Sequence, residues 1–171
     1  VEHSPNTQTE ALASLAPTEV LPWLTLDQVV TSTETLGAWT DRAEDARNLT
    51  EQLTAKLRVE APPDPAPRVL LALAGQGLDK GEIWFLRRNS LHGAALHAAG
   101  AQNAVEEDIR GRAVLTVEQL IAIDPDAVML LLAREADAET QTRILDDWAR
   151  LMPLTAVQQG RLTVLSSPAT L

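Results

Sequence analysis

Residues 75–89 hold the densest group of side chains able to do binding chemistry, with Trp84, Phe85, Arg87 and Arg88 nearly side by side. Aromatic faces suit a flat macrocycle or a catecholate ring, and guanidinium groups suit carboxylate or hydroxamate oxygens. These four residues are therefore the expected ligand contacts. The competing reading packs both rings inward and leaves the arginines in solvent. Gly75, Gly77 and Gly81 lie in the same stretch but do not fit G-x-G-x-x-G, and no helix opens after Gly77, so a nucleotide loop is rejected. His92 and His97 are five apart and miss the i, i+4 face that metal pairs share, so no metal site is expected from them. Catalysis finds no support either. A nucleophile, a base and an orienting group would have to come from scattered serines and three histidines, with no spacing that links them.

The elements that must position these groups follow from periodicity. Arg68 to Ala74 is a near-continuous apolar run, of the kind found in parallel strands covered on both faces. The segment 75–89 follows its carboxyl end, where open α/β sheets bind ligands. A helix capped by Ser90 is expected to reach Ala99 and stop at Gly100. Thr116 and Gln119 have capping-box spacing for a short helix, with Glu118 in its first turn, where a carboxylate gains about 0.3–1 kcal/mol from the helix dipole. Asp124, Pro125 and Asp126 read as a structural turn before the apolar strand Ala127 to Leu132. An amphipathic helix from Ala138 to Leu151 and a strand from Arg161 to Leu165 complete this part. Alternating strands and helices imply an α/β fold with a parallel sheet.

Upstream, Val1 to His3 reads as the tail of a strand, Thr7 to Leu15 as a short helix, and Glu19 to Trp23 as a strand closed by Pro22. A helix begins at Thr25, with Gly37 as its expected stop. A longer one follows from Asp41, where Asp41 and Glu44 have capping-box spacing and Ala43, Ala46, Leu49, Leu53 and Leu57 form one apolar stripe. The proline-rich connector Glu60 to Pro67 marks a boundary between packed units. Asn48-Leu49-Thr50 matches a glycosylation triplet by chance, inside a helix.

Composition removes whole classes of function. The chain has 171 residues, enough to bury a core, and its net charge of −10, from 24 acidic and 14 basic side chains, argues against general nucleic-acid binding. Cysteine is absent, which excludes thiolate chemistry and lipid attachment through cysteine within these residues. Apolar runs such as Ala127 to Ala133 fall far short of the roughly 20 residues a membrane helix needs, so a soluble chain is expected.

Three further segments carry a family resemblance. They are S-L-x-G-x-x-L-x-x-A-G-x-x-N from Ser90 to Asn103, L-T-V-E-Q-L-x-A-x-D-P-D-A-V from Leu115 to Val128, and G-R-L-T-V-L from Gly160 to Leu165. Following the strand and loop at 68–89, in this order and spacing, they resemble the C-terminal lobe of periplasmic substrate-binding proteins for iron-siderophores, haem and cobalamin. The resemblance implies an α/β protein whose C-terminal lobe, 61–171, is built on a parallel sheet. A long linking backbone helix would occupy 38–60, and 1–37 would be the remnant of an N-terminal α/β lobe. It also implies truncation at both ends, with the first strands of that lobe and a returning C-terminal helix missing.

What the resemblance implies about function is capture of a metal chelate outside the cytoplasm, periplasmic or at the cell surface. The chelate is a ferric siderophore, haem or cobalamin, delivered by a monomer to the permease subunits of an ABC importer without any enzymatic step. The chelate is cargo, and no resident cofactor is implied. Siderophore ranks first, because arginines are present and tyrosine, an obvious axial ligand, is absent. In the family resembled, a glutamate at the position of Glu118 faces a permease arginine, and His3 falls, with Ser4 and Asn6, at the mouth of the N-terminal lobe, where a ligand contact often lies. The alternatives are a tetrapyrrole or metal-chelatase-like enzyme on a similar two-lobed fold, and an isolated α/β domain that binds nothing.

Overall fold

A computed structural model of the chain describes residues 11–57, 59–75, 78–107, 112–151 and 153–168. The expected strand Val1 to His3, the start of the Thr7 to Leu15 helix, and His3, Ser4 and Asn6 lie outside the described residues. Two compact units are present, Val1–Glu51 and Gln52–Leu171.

In the first unit, α1 (Leu26–Trp39) opens at Thr25, whose hydroxyl accepts from the Gln28 N–H at 3.2 Å. It does not stop at Gly37. Gly37 is buried inside the helix, and a Cβ there would run into the Ala46 methyl of α2 (Ala43–Leu57). The missing side chain serves close helix packing rather than termination. The chain turns instead at Asp41, with φ of 56°, while the Arg42 N–H donates to the Gly37 carbonyl at 2.7 Å. This is a Schellman-type closure with aspartate in the left-handed position. Asp41 therefore ends one helix rather than capping the next. Along α2 Ala46 is buried and Leu53 and Leu57 are half-buried, as the stripe requires, while Ala43 is exposed and Leu49 is 59% exposed, with Thr50 buried in its place. The run Glu19 to Trp23 forms no strand ladder among the described residues; Val20 is exposed, and an unpaired strand leaves its backbone groups to water.

The second unit is built on a four-stranded sheet in the order β3-β1-β5-β6, every pair parallel. Its strands are β1 (Arg68–Leu73), β3 (Gln102–Asn103), β5 (Ala127–Leu132) and β6 (Leu162–Ser166). A separate two-stranded antiparallel ribbon pairs β2 (Glu82–Trp84) with β4 (Val114–Thr116). The helices are α3 (Leu91–Ala98), α4 (Val117–Ile123), α5 (Ala138–Ala149) and α6 (Thr155–Gln158).

Strand alternation explains why β1 and β5 are apolar at nearly every position. Leu70, Ala72, Val128 and Leu130 face one hydrophobic cluster, closed by Leu120, Trp148, Leu154 and the ribbon residues Ile83, Phe85 and Leu115. Val69, Leu71 and Leu131 face a second, with Ala101 and Leu96 of the α3 side. Each fully buried leucine contributes about 1.5–3 kcal/mol. Covering both faces removes any need for a polar one.

The turn Asp124-Pro125-Asp126 ties three elements together. Asp124 closes α4 in the left-handed region with φ of 43°, and its carboxylate accepts from the Thr155 N–H and hydroxyl, both at 2.7 Å. Asp126 accepts from the Arg68 N–H at 2.7 Å, and the Arg68 guanidinium donates to the Ile123 carbonyl at 2.9 Å. The Thr155 hydroxyl and then its N–H, with Arg68 adding a smaller attraction, hold the Asp124 carboxyl below the usual carboxylate range. A depressed folded pKa contributes stability that is present above the unfolded value, about 3.9, and is lost as pH falls through the folded one. Urea unfolding of Asp124→Asn is therefore expected to show a shallower loss of stability below about pH 4 than wild type. Identical pH slopes would show that the Thr155 contacts do not bias ionisation.

Candidate functional site

The ribbon places Trp84 just beyond the carboxyl end of β1, because Phe85 bridges antiparallel to Ala72 and the Leu86 N–H donates to the Leu71 carbonyl at 2.8 Å. Alternation then divides the ribbon into two faces. Ile83, Phe85 and Leu115 turn into the core at 1%, 3% and 3% exposure. Glu82 and Trp84 share the opposite, partly exposed face with Val114 and Thr116, their direct partners in the register. Phe85, expected among the ligand contacts, thus packs inward and anchors the ribbon to the sheet. The segment read as a loop is in part a strand, and the period-two alternation from Glu82 to Phe85 was the available signal.

Two residues before Val114 lies Arg112, a diagonal neighbour of Trp84 across the ribbon and within reach of a long side chain. Its guanidinium carbon sits 4.6 Å from the Trp84 ring centroid. Arg112 also lies 3.9 Å from the Glu82 carboxylate, with side chains 69% and 41% exposed. Cation, ring and carboxylate form one solvent-facing group. Sequence reasoning missed Arg112 and Glu82, since the antiparallel register that joins 82–84 to 112–116 is not visible from spacing.

Arg87 and Arg88 are placed by the start of α3. The Ser90 hydroxyl donates to the Arg87 carbonyl at 2.6 Å and accepts from the Gly93 N–H at 3.2 Å. Gly93 has no room for a side chain: a Cβ would meet the Arg88 carbonyl oxygen, and the Arg87 oxygen would lie 2.6 Å away. Arg87 is half-buried and Arg88 exposed. Arg88 lines a groove of about 590 Å³ with Asn89, His97, Asn103 and Glu106, a groove whose lining does not include Trp84 or Arg112. Asn103 is held in it by donating to the Leu86 carbonyl at 2.9 Å and accepting from the Val105 N–H at 3.0 Å. His92, half-buried, is not part of that lining, whereas His97 is.

Glu118 stands exposed in the first turn of α4. The expected capping box is formed there: the Thr116 hydroxyl accepts from the Gln119 N–H at 3.2 Å, and the Gln119 side chain accepts from the Thr116 N–H at 2.9 Å. The N–H of Glu118 itself, then the Thr116 hydroxyl, hold the Glu118 carboxyl below its ordinary range. It stays ionised in mildly acidic solution.

No protein-family model matches the sequence, and no curated protein matches it. Solved structures do match in fold. An ABC transporter substrate-binding protein from Listeria monocytogenes aligns with a TM-score of 0.74 at 17% identity, over 95% of this chain and 63% of that one. A siderophore-binding protein from Vibrio cholerae bound to Fe3+-Desferal aligns with a TM-score of 0.66 at 17% identity, over 95% of this chain and 63% of that one. A periplasmic heme-binding protein from Pseudomonas aeruginosa aligns with a TM-score of 0.65 at 24% identity, over 94% of this chain and 58% of that one. The chain thus spans less than two thirds of the length of each. Its α/β fold is the fold of these substrate-binding proteins, as the strand and helix order at 68–166 implied.

Proposed function

We propose that the chain is an extracytoplasmic solute-binding protein, which captures a metal chelate and passes it to an ABC importer. The observation that carries the reading is the half-buried Trp84, turned away from the core at the carboxyl end of a parallel sheet, in a fold shared with substrate-binding proteins for iron-siderophore and heme. Open α/β sheets bind ligands at that end. Trp84, Arg87 and Arg88 are the ligand contacts kept in this reading. Phe85 supports the site from the core. In domain terms, α2 (Ala43–Leu57) lies in the linking segment 38–60, and 61–171 is the binding lobe.

A ferric siderophore is the first choice of chelate, ahead of haem and cobalamin. Titration with each, followed by absorbance and tryptophan fluorescence, tests the reading. Saturable quenching without product supports it. Turnover favours the chelatase-like enzyme instead, and no response to any of the three favours a domain that binds nothing.

Glu118 is the docking residue in this proposal. An ionised carboxylate on an exposed first turn suits a charge-assisted pair with an arginine on the permease. Glu118→Arg is expected to weaken coupling to the importer about tenfold or more, since losing one charged hydrogen-bonded partner costs about 1.5–3 kcal/mol. Chelate affinity should stay within about twofold, a change of less than 0.5 kcal/mol. Transport and binding assays on the same variant check both halves; a fall in affinity with coupling intact removes Glu118 from the docking surface.

A further inference from the structure

Trp84 is not an open aromatic face, because the Arg112 guanidinium already lies over that ring, 4.6 Å from its centroid. A ligand approaching this side of the ribbon meets a flat cation before it meets the indole. The consequence concerns what kind of chelate can bind. A guanidinium laid on a ring has its donors around its edge, and those edges point outward in the plane of the fork. A guanidinium held over an aromatic ring keeps N–H donors for a further partner. That arrangement is suited to two parallel hydrogen bonds to a carboxylate, or to the paired oxygens of a catecholate.

One oxyanion already stands beside Arg112: the Glu82 carboxylate lies 3.9 Å from the same guanidinium, on the same face of the ribbon. The pair is loose and largely solvated, and such exposed pairs contribute little. The cation–π contact is similarly weak at an exposed site. Neither interaction is strong enough to withhold Arg112 from a better partner. A bound oxyanion excludes water from the guanidinium edge, and a partly desolvated charge-assisted contact exceeds both.

We propose that Arg112 is the residue that selects for charge in this site: held on Trp84, it pairs with an anionic oxygen of the chelate, and Glu82 is the internal counter-ion that the chelate displaces. The inference rests on the chelate-binding reading and narrows it to ligands carrying carboxylate or catecholate oxyanions. An uncharged ferric trihydroxamate offers Arg112 no oxyanion and gains at most a weak hydrogen bond. An anionic ferric tris-catecholate gains the full contact.

The test uses the 171-residue chain, with those two chelates titrated separately by equilibrium dialysis and tryptophan quenching. All three variants alter side chains on the ribbon's partly exposed face, and circular dichroism with urea midpoints checks that each is folded. Arg112→Gln is expected to weaken the tris-catecholate at least about tenfold, the size of one charged hydrogen-bonded contact, and to leave the trihydroxamate within about twofold. Glu82→Gln removes the competitor and is expected to strengthen the tris-catecholate severalfold. Arg112→Lys keeps the charge but loses the planar fork, and should recover only part of the discrimination.

The inference is overturned if wild type binds chelates and Arg112→Gln shifts both affinities equally or neither. Unchanged or weaker tris-catecholate binding in Glu82→Gln overturns the counter-ion exchange. Binding of neither chelate by wild type is a different failure: it removes the chelate-binding reading itself, and this inference with it.

Discussion

Leu120→Ala is expected to lower the unfolding free energy by about 2–5 kcal/mol, the range for truncating a buried leucine. Leu120 is fully buried, and it belongs to the cluster that holds Leu70, Val128 and Leu130 of the sheet. It is also the buried residue of α4, a helix of seven residues. A helix of that length is marginal on its own and depends on tertiary packing for its stability. The capping box at Thr116 and the Arg68 and Asp124 contacts at the other end fix its termini, but apolar burial decides whether it stays on the sheet. Urea unfolding gives the stability change, and amide exchange over 117–123 should rise more than over β1 and β5. A loss well below 1 kcal/mol would falsify the view that Leu120 seats this helix. Because Glu118 rides on the same turn, the proposed importer coupling should fall with it, without a change at Trp84.

Gly93→Ala is expected to destabilise by about 1–3 kcal/mol, the typical cost of overpacking a tight site. Two effects oppose each other. Alanine is a better helix former than glycine by about 0.8–1 kcal/mol, which by itself predicts a gain. The new Cβ, however, would press on the Arg88 carbonyl oxygen, and would stand 2.6 Å from both the Arg87 oxygen and the Arg88 carbonyl carbon. These are backbone atoms, and they cannot swing aside as a flexible side chain would. Relief must come from moving the chain that carries Arg87 and Arg88, so under the proposed function the variant should lose chelate affinity along with stability. Thermal unfolding and a titration of the same sample check the two together. A stabilised Gly93→Ala protein would show that the segment before α3 yields freely.

Much of the second unit was legible in advance, and for local reasons. The apolar runs at 68–74 and 127–132 marked strands covered on both faces, and both strands are parallel and buried. Ser90 and Thr116 marked helix starts because an N-cap is a short-range hydrogen bond between neighbours in sequence. The first unit was read less well. Gly37 and Asp41 exchanged their expected roles, since whether a glycine ends a helix or lets another helix approach depends on Ala46, which no local pattern links to it.

The sequence by itself determined the α/β class, the order of strands and helices in the second unit, the caps, and the first-turn position of Glu118. These depend on periodicity and on contacts a few residues apart. Only the tertiary structure decided which face of each element looks outward and which distant residues meet. It turned Phe85 into the core and Trp84 away from it, and it brought Arg112 and Glu82 to that ring. The physical reason is the register of β2 against β4: a shift of one residue would reverse every side chain on the ribbon, and contacts across the ribbon set that register.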